Sequence, residues 1–178
     1  MNRIHDIRSH RFSSSDRLFL DANIWLSVYG PLAFKRTSAM VYSTAIRDIR
    51  LTGCAVFLDV LVLSEFVNVL ARWEHHQSPL NSKGFKQFRQ SPAFKPVAQD
   101  IANNATRIVR QCQRCDASFP ALDIEALLCE FEKGNSDFND QILCEICRRN
   151  RFLFVTDDPD FRGSGLTILT ANRRLLSR

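Results

Sequence analysis

No apolar stretch in these 178 residues approaches the roughly 18 needed to span a bilayer, so a membrane-spanning helix is not expected. Residues 1–16 are rich in arginine and serine and have no apolar centre, which does not match a secretory signal. Six cysteines without such a signal point to free thiols in a reducing compartment rather than to a disulfide framework, and the chain is expected in the cytoplasm. A phosphate-cradling GxxxxGK loop is missing, and Gly163-Ser164-Gly165 lacks the third glycine and the strand-to-helix setting of a dinucleotide fingerprint. Internal repeats and low-complexity tracts are also lacking.

With 45% hydrophobic residues, the chain can build one domain with a proper core and is too short for two comfortable ones. Residues 17–21 read as a buried strand, because Leu18, Phe19 and Leu20 follow the turn-forming run Ser13-Ser14-Ser15-Asp16. Residues 37–49 carry Met40, Val41, Ala45 and Ile49 near helical spacing, with Gly53 as a stop; residues 55–59 form a second strand, and residues 61–73 a helix on Leu63, Phe66, Val67, Leu70 and Trp73. Residues 79–96 mix prolines, lysines and phenylalanines and read as a structured excursion in which Phe85 and Phe88 point inward. Residues 99–115 form a helix whose outer side bears Arg107, Arg110 and Arg114 as one basic stripe. Further helices are expected at residues 123–131, capped by Asp123, and at residues 140–149 after a loop over residues 135–139, with strands at residues 152–156 and 166–169. Strands alternating with helices argue for an α/β fold with a Rossmann-like parallel sheet and helices on both faces. The division of the chain is then an N-terminal extension at residues 1–16 and one domain at residues 17–178, with a helical insertion near residues 78–98.

Four of the apolar runs deliver an acid at their end or one turn beyond: Asp21 in Leu18-Phe19-Leu20-Asp21, Glu65 in Val62-Leu63-Ser64-Glu65, Asp140 in Asp137-Phe138-Asn139-Asp140, and Asp158 in Val155-Thr156-Asp157-Asp158. In an open parallel sheet the carboxyl ends of the strands converge on one crevice. Four carboxylates meeting there would suit a hard divalent cation such as Mg²⁺ or Mn²⁺. Such a cation can neutralise charge on a phosphate and lower the pKa of a bound water. Each acid alone also has an ordinary explanation: the end of a strand for Asp21, an exposed helix position for Glu65, a helix cap for Asp140, a turn at Pro159 for Asp158.

Together, Asp21-Ala22-Asn23 after a strand, Leu63-Ser64-Glu65-Phe66 opening a helix, Asp137-Phe138-Asn139-Asp140 before a helix, and Thr156-Asp157-Asp158-Pro159-Asp160-Phe161 after a strand resemble the PIN domain family. The resemblance covers roughly residues 17–169. It implies a PIN-like α/β/α sheet and a Mg²⁺- or Mn²⁺-dependent endoribonuclease, often the toxin half of a VapC-type toxin–antitoxin pair. By that resemblance Asp21, Glu65, Asp140 and Asp158 are the catalytic, metal-binding acids. Asp137 and Asp160 are auxiliary acids, and Asn23 and Thr156 orient carboxylates or water. An RNA substrate is implied, with an antitoxin protein and a second copy of the chain as candidate partners. The stretch between Glu65 and Asp140 is longer than in compact members of the family.

The formal charge is +5, and with four acids gathered in one crevice the remaining surface carries about +9. Arg107, Arg110 and Arg114 are the candidate RNA contacts. Cys112-x-x-Cys115 with Cys144-x-x-Cys147 invites a zinc reading. The long gap between the pairs and the apolar neighbours Leu143 and Ile146 favour cysteines that simply pack. Asn23, two positions after Asp21, disfavours a phosphatase that uses an aspartate nucleophile followed by a second aspartate. A DNA nuclease with the same acids and a non-cleaving binding module remain the alternatives.

Overall fold

Leu18, Phe19 and Leu20 are almost wholly withdrawn from solvent, as expected of a strand covered on both faces. In the computed structural model, which describes residues 3–31, 34, 38–116, 119–134 and 136–177, they lie in an inner strand of a six-stranded, all-parallel sheet flanked by helices. The elements in chain order are β1 (Arg3–Asp6), β2 (Arg17–Leu20), α1 (Ala22–Tyr29), α2 (Ala39–Thr52), β3 (Ala55–Leu58), α3 (Val60–Gln77), α4 (Phe85–Arg89), α5 (Phe94–Arg110), β4 (Gln113–Arg114), α6 (Ile124–Glu132), α7 (Phe138–Asn150), β5 (Leu153–Val155), β6 (Thr167–Thr170) and α8 (Arg173–Leu176). Across the sheet the strands run β1-β6-β5-β2-β3-β4.

That order positions the site. From β2 the chain moves outward through β3 to β4, then returns past both to β5 and continues in the opposite direction to β6. The direction of winding therefore reverses between β2 and β5, which leaves a crevice beyond their carboxyl ends. Right-handed crossovers put α1, α2, α3 and α5 on one face and α6 and α7 on the other. The packing agrees, since α1 contacts α2 and α3, α3 contacts α5, and α6 contacts α7.

Several expectations are corrected. Residues 3–6 of the expected N-terminal extension form an edge strand that pairs in parallel with β6, and Ile7 behind it is buried, so this segment belongs to the sheet. Its alternation of half-exposed and exposed residues contains no apolar run that would mark it in sequence. The helix expected over residues 99–115 begins earlier, at Phe94, with Pro96 tolerated in the first turn where backbone N–H groups have no helical partner. It ends at Arg110, and the chain then adds Gln113–Arg114 to the sheet beside Phe57 and Leu58. Arg114 is thus on a strand, not on one helical stripe with Arg107 and Arg110. On α2 the buried face is Tyr42, Ala45, Ile46 and Ile49, while Met40 is 83% exposed. Gly53 closes that helix at φ 71, in the left-handed region that favours glycine. Thr37 and Asn135, within the expected helix and loop, lie outside the described residues.

The excursion after α3 is a packed element. Phe88 of α4 is 2% exposed, with the rings of His75 and Phe94 centred 5.2 and 5.3 Å away. His75 Nε2 donates to the Lys83 carbonyl at 2.7 Å and ties α3 to the segment that leads into α4. Replacing Phe88 by Ala should cost about 3–5 kcal/mol in urea unfolding. A loss under about 1 kcal/mol would mean that this element does not rest on its phenylalanine.

Candidate functional site

Asp21 follows β2 directly. Its N–H continues the ladder to the Val155 carbonyl at 3.0 Å, and its side chain then caps α1, with Oδ1 accepting from Ala22 N–H at 2.7 Å. Two further donors meet on Oδ2: the Asn23 amide at 2.6 Å and the Thr156 hydroxyl at 2.7 Å. The residue is 4% exposed. Burial pushes its carboxyl up to about 7 from 3.8 despite the Thr156 and Ala22 hydrogen bonds, with Glu65 and Asp158 adding to the rise.

Thr156 holds the other side of the crevice. Its hydroxyl donates to Asp21 and accepts from Asn23 Nδ2 and from the N–H of Asp158, each at 3.1 Å, so one donor and two lone pairs are all used. Asp158 then caps the 3-10 turn Pro159–Gly163 by accepting from Asp160 N–H at 2.9 Å. Asp140 stands in the first turn of α7, and the cap position there belongs to Asp137. Glu65 lies in the second turn of α3 and keeps a solvent-facing surface.

The four acids act on one another. Asp140 is raised to about 7, first by burial and then by Asp21, Asp158, Asp137 and Asp160. Glu65 is raised by burial, then by Asp140, Asp158 and Asp137. Together with the effects on Asp21, every pair among Asp21, Glu65, Asp140 and Asp158 is in electrostatic range, and the auxiliary acids Asp137 and Asp160 press on the same group. Among the described residues no lysine, arginine or histidine pairs with any of the four. The donor set is all carboxylate oxygen, which suits Mg²⁺ or Mn²⁺ rather than a softer metal. Among the described residues no three acid, histidine or cysteine side chains are closed into a group that would hold a metal ion as they stand. Two carboxylates about 4 Å apart repel by about 4 kcal/mol at an effective dielectric of 20, so bringing such a group closer together would need a cation.

Arg107, Arg110 and Arg114 are exposed and are not among the charges acting on Asp21, Glu65 or Asp140. Arg107 and Arg110 edge a cleft of about 830 Å³ between the end of α1 and the α3–α5 pair. The cysteines form no disulfide. Burial holds Cys112 up to about 12 and Cys115 and Cys144 up to about 11, leaving weak nucleophiles.

Asp157 has no marked role in the sequence pattern, yet it organises the crevice from behind. It is 9% exposed, and its carboxylate accepts from Tyr42 Oη at 2.7 Å and Ser38 Oγ at 3.1 Å. Its N–H donates to Asn23 Oδ1 and its carbonyl accepts from Asn172 Nδ2 at 2.6 Å. The adjacent acids Asp157 and Asp158 after a buried strand are the only sequence signal for this arrangement. Among the described residues no helix is long and apolar enough to cross a membrane. Compared with known protein families and with curated proteins, the chain matches none.

The raised carboxyls give a pH test. Without a cation, Asp21 and Asp140 stay protonated up to about pH 7 in the folded chain but ionise near pH 4 once it unfolds. Their contribution to stability is therefore full below pH 4 and is lost as pH rises toward 7. Asp140→Asn is the clean probe, because no described group hydrogen-bonds its carboxylate, whereas an amide at position 21 would turn its NH₂ toward the Asn23 donor. In EDTA, wild type should lose stability relative to Asp140→Asn between pH 4 and pH 7 in thermal melts. Parallel curves for the two proteins would separate Asp140 from the crowded group.

Proposed function

We propose that this chain is a PIN-like, Mg²⁺- or Mn²⁺-dependent endoribonuclease. The observation that carries the reading is the gathering of four mutually repelling carboxylates, Asp21, Glu65, Asp140 and Asp158, where the winding of the parallel sheet reverses. These four would hold one or two cations, which when bound supply a water of lowered pKa and neutralise charge on the phosphate. Asn23 and Thr156 fix the Asp21 carboxylate: Oδ2 is filled by two donors, and Oδ1 keeps one lone pair beyond its bond to Ala22. Asp137 and Asp160 add negative charge at the rim and help draw a cation in. Arg107 and Arg110 stand ready to bind RNA phosphates outside the crevice.

The reading extends to a toxin restrained by an antitoxin protein. An apolar groove of about 680 Å³ between α3 and α5, edged by Leu63, Val67 and Val109 with Arg110 and Arg114 at its rim, suits a protein partner or a second copy of the chain. The alternatives are a non-cleaving RNA- or protein-binding module on the same fold, and a DNA nuclease with the same acids.

Labelled RNA and single-stranded DNA, each with Mn²⁺ or EDTA, separate these readings. RNA should be cut only with Mn²⁺, and Asp140→Asn or Asp21→Asn should lower the rate at least ~100-fold, since a bound cation supplies several kcal/mol. Full activity in Asp140→Asn would remove that residue from the site. Preferential cleavage of DNA would make this a DNA nuclease, and RNA bound but never cut would leave the binding module. Replacing Arg107 and Arg110 by Gln should weaken RNA binding and reduce the salt slope by about one unit for each phosphate no longer neutralised; an unchanged slope would put the RNA path on another face.

A further inference from the structure

A second cavity, of about 410 Å³, opens directly beside the acids and shares Asp140 and Asp160 with them. It follows one face of α7, where Asp140, Cys144 and Arg148 recur every four residues and line up along the helix. From the first to the last of these is about 12 Å at the helical rise, longer than one pyrimidine ring needs. The walls between them carry the apolar Leu127 of α6 and Phe161 of the 3-10 turn, with the polar Glu130 and Gln141 also among the lining residues. At the far end the Arg148 guanidinium reaches across to donate to the Ser164 carbonyl at 3.2 Å and also pairs with Glu145. Three of its five N–H donors remain for a ligand.

The cavity is therefore negative where it meets the acids, has apolar surface at Leu127 and Phe161, and is bordered at its other end by the exposed Arg148 guanidinium. We infer that it seats the nucleotide next to the scissile phosphate and that Arg148 makes it selective for guanine. The inference rests on the nuclease reading for its orientation, with the phosphate at the Asp140 end and the base toward Arg148. On the edge turned away from the sugar, guanine alone presents two adjacent acceptors, O6 and N7, to a guanidinium; adenine offers one acceptor beside a donor there, and cytosine's acceptor pair, O2 and N3, begins next to the glycosidic bond, so cytidine is the critical control in the titration. The apolar walls cover the faces of the ring, and the Ser136 and Ser164 hydroxyls stand among the lining groups for its remaining edges.

Uncharged nucleosides test the seat independently of cleavage. Guanosine, adenosine, cytidine and uridine are titrated into the whole protein and followed by amide NMR shifts. Guanosine should perturb residues 140–148 and 161–164 and bind at least about tenfold tighter than uridine. Arg148→Gln, at an exposed helical position, should erase the difference, and Cys144→Phe, which fills the middle of the cavity, should abolish binding; should the latter fail to fold, Arg148→Gln decides. Equal binding of all four nucleosides, shifts on another face, or guanosine preference kept in Arg148→Gln would overturn the seat. Cleavage of RNA with Mn²⁺ is scored separately. RNA cut without any guanosine preference at this cavity defeats the seat alone, and guanosine seated in a protein that cuts no RNA keeps the seat and defeats the nuclease.

Discussion

Withdrawing the Asp21 carboxylate from water at the end of an inner strand is the constraint on which the site depends. An isolated buried charge is too costly to keep, so the fold must bring donors to it. Ala22 N–H is supplied by the start of α1, Asn23 by its second residue, and Thr156 by the residue just past β5. Two of these donors are local in sequence. The third is 135 positions away and requires β2 and β5 to be neighbours in register, with Leu20 opposite Val155. The hydrogen bonding of one carboxylate therefore matches the reversal in winding that opens the crevice.

Behind that first constraint lies a second. Asp158 can face the other acids only if the turn from residue 156 to 158 keeps its shape, and side chains hold three of that turn's backbone groups. Thr156 takes the N–H of Asp158, Asn23 the N–H of Asp157, and Asn172 the carbonyl of Asp157. The Asp157 carboxylate points back to Tyr42 on α2, and Tyr42 Oη in turn accepts from Ala171 N–H at 2.9 Å. Burial and the Asp157 carboxylate push the Tyr42 phenol up, so it remains a donor. Elements distant in sequence, α2 and the β6–α8 junction, thus stabilise a three-residue turn at the site.

How much of this is legible in the sequence depends on whether a feature is stabilised locally. The strands β2, β5 and β6 announce themselves because consecutive residues on both faces are buried, and β3, half-buried on one face, still carries the apolar run Ala55-Val56-Phe57-Leu58. Edge strands need none: β1 shows only half-exposed and exposed residues, and β4 is two exposed residues, Gln113 and Arg114. That is why residues 3–6 read as an extension and why Arg114 reads as part of the preceding helix. Helix α1 is hidden for the opposite reason, since it is only eight residues long and its apolar Ile24-Trp25-Leu26 follows the β2 run after just Asp21-Ala22-Asn23. The four acids are visible because they terminate apolar runs or open helices. Asp157 is not, because its partners Tyr42, Ser38 and Asn172 are joined to it only by the tertiary fold.

Helix termini place some favourable potential around the acids, but too little to balance them. Asp21 caps α1 and Asp140 sits in the first turn of α7, where a helix dipole favours a negative charge by about 0.3–1 kcal/mol, and up to about 2 when partly buried. A carboxyl held near 7 instead of 3.8, as Asp21 is, has its charged form destabilised by roughly 4 kcal/mol. Burial and like charges therefore outweigh both the dipole and three hydrogen bonds. If stability alone shaped this end of the sheet, an arginine or lysine partner would relieve the strain, and among the described residues none pairs with the four acids; the donors to Asp21 are the neutral Asn23 amide, Thr156 hydroxyl and Ala22 N–H. Arg107, Arg110, Arg173 and Arg174 are exposed and are not among the charges acting on Asp21, Glu65 or Asp140. Cost concentrated at the carboxyl ends of β2 and β5, with no cationic side chain of the described residues paired to it, is what a cation and a polyanion would relieve in the proposed nuclease.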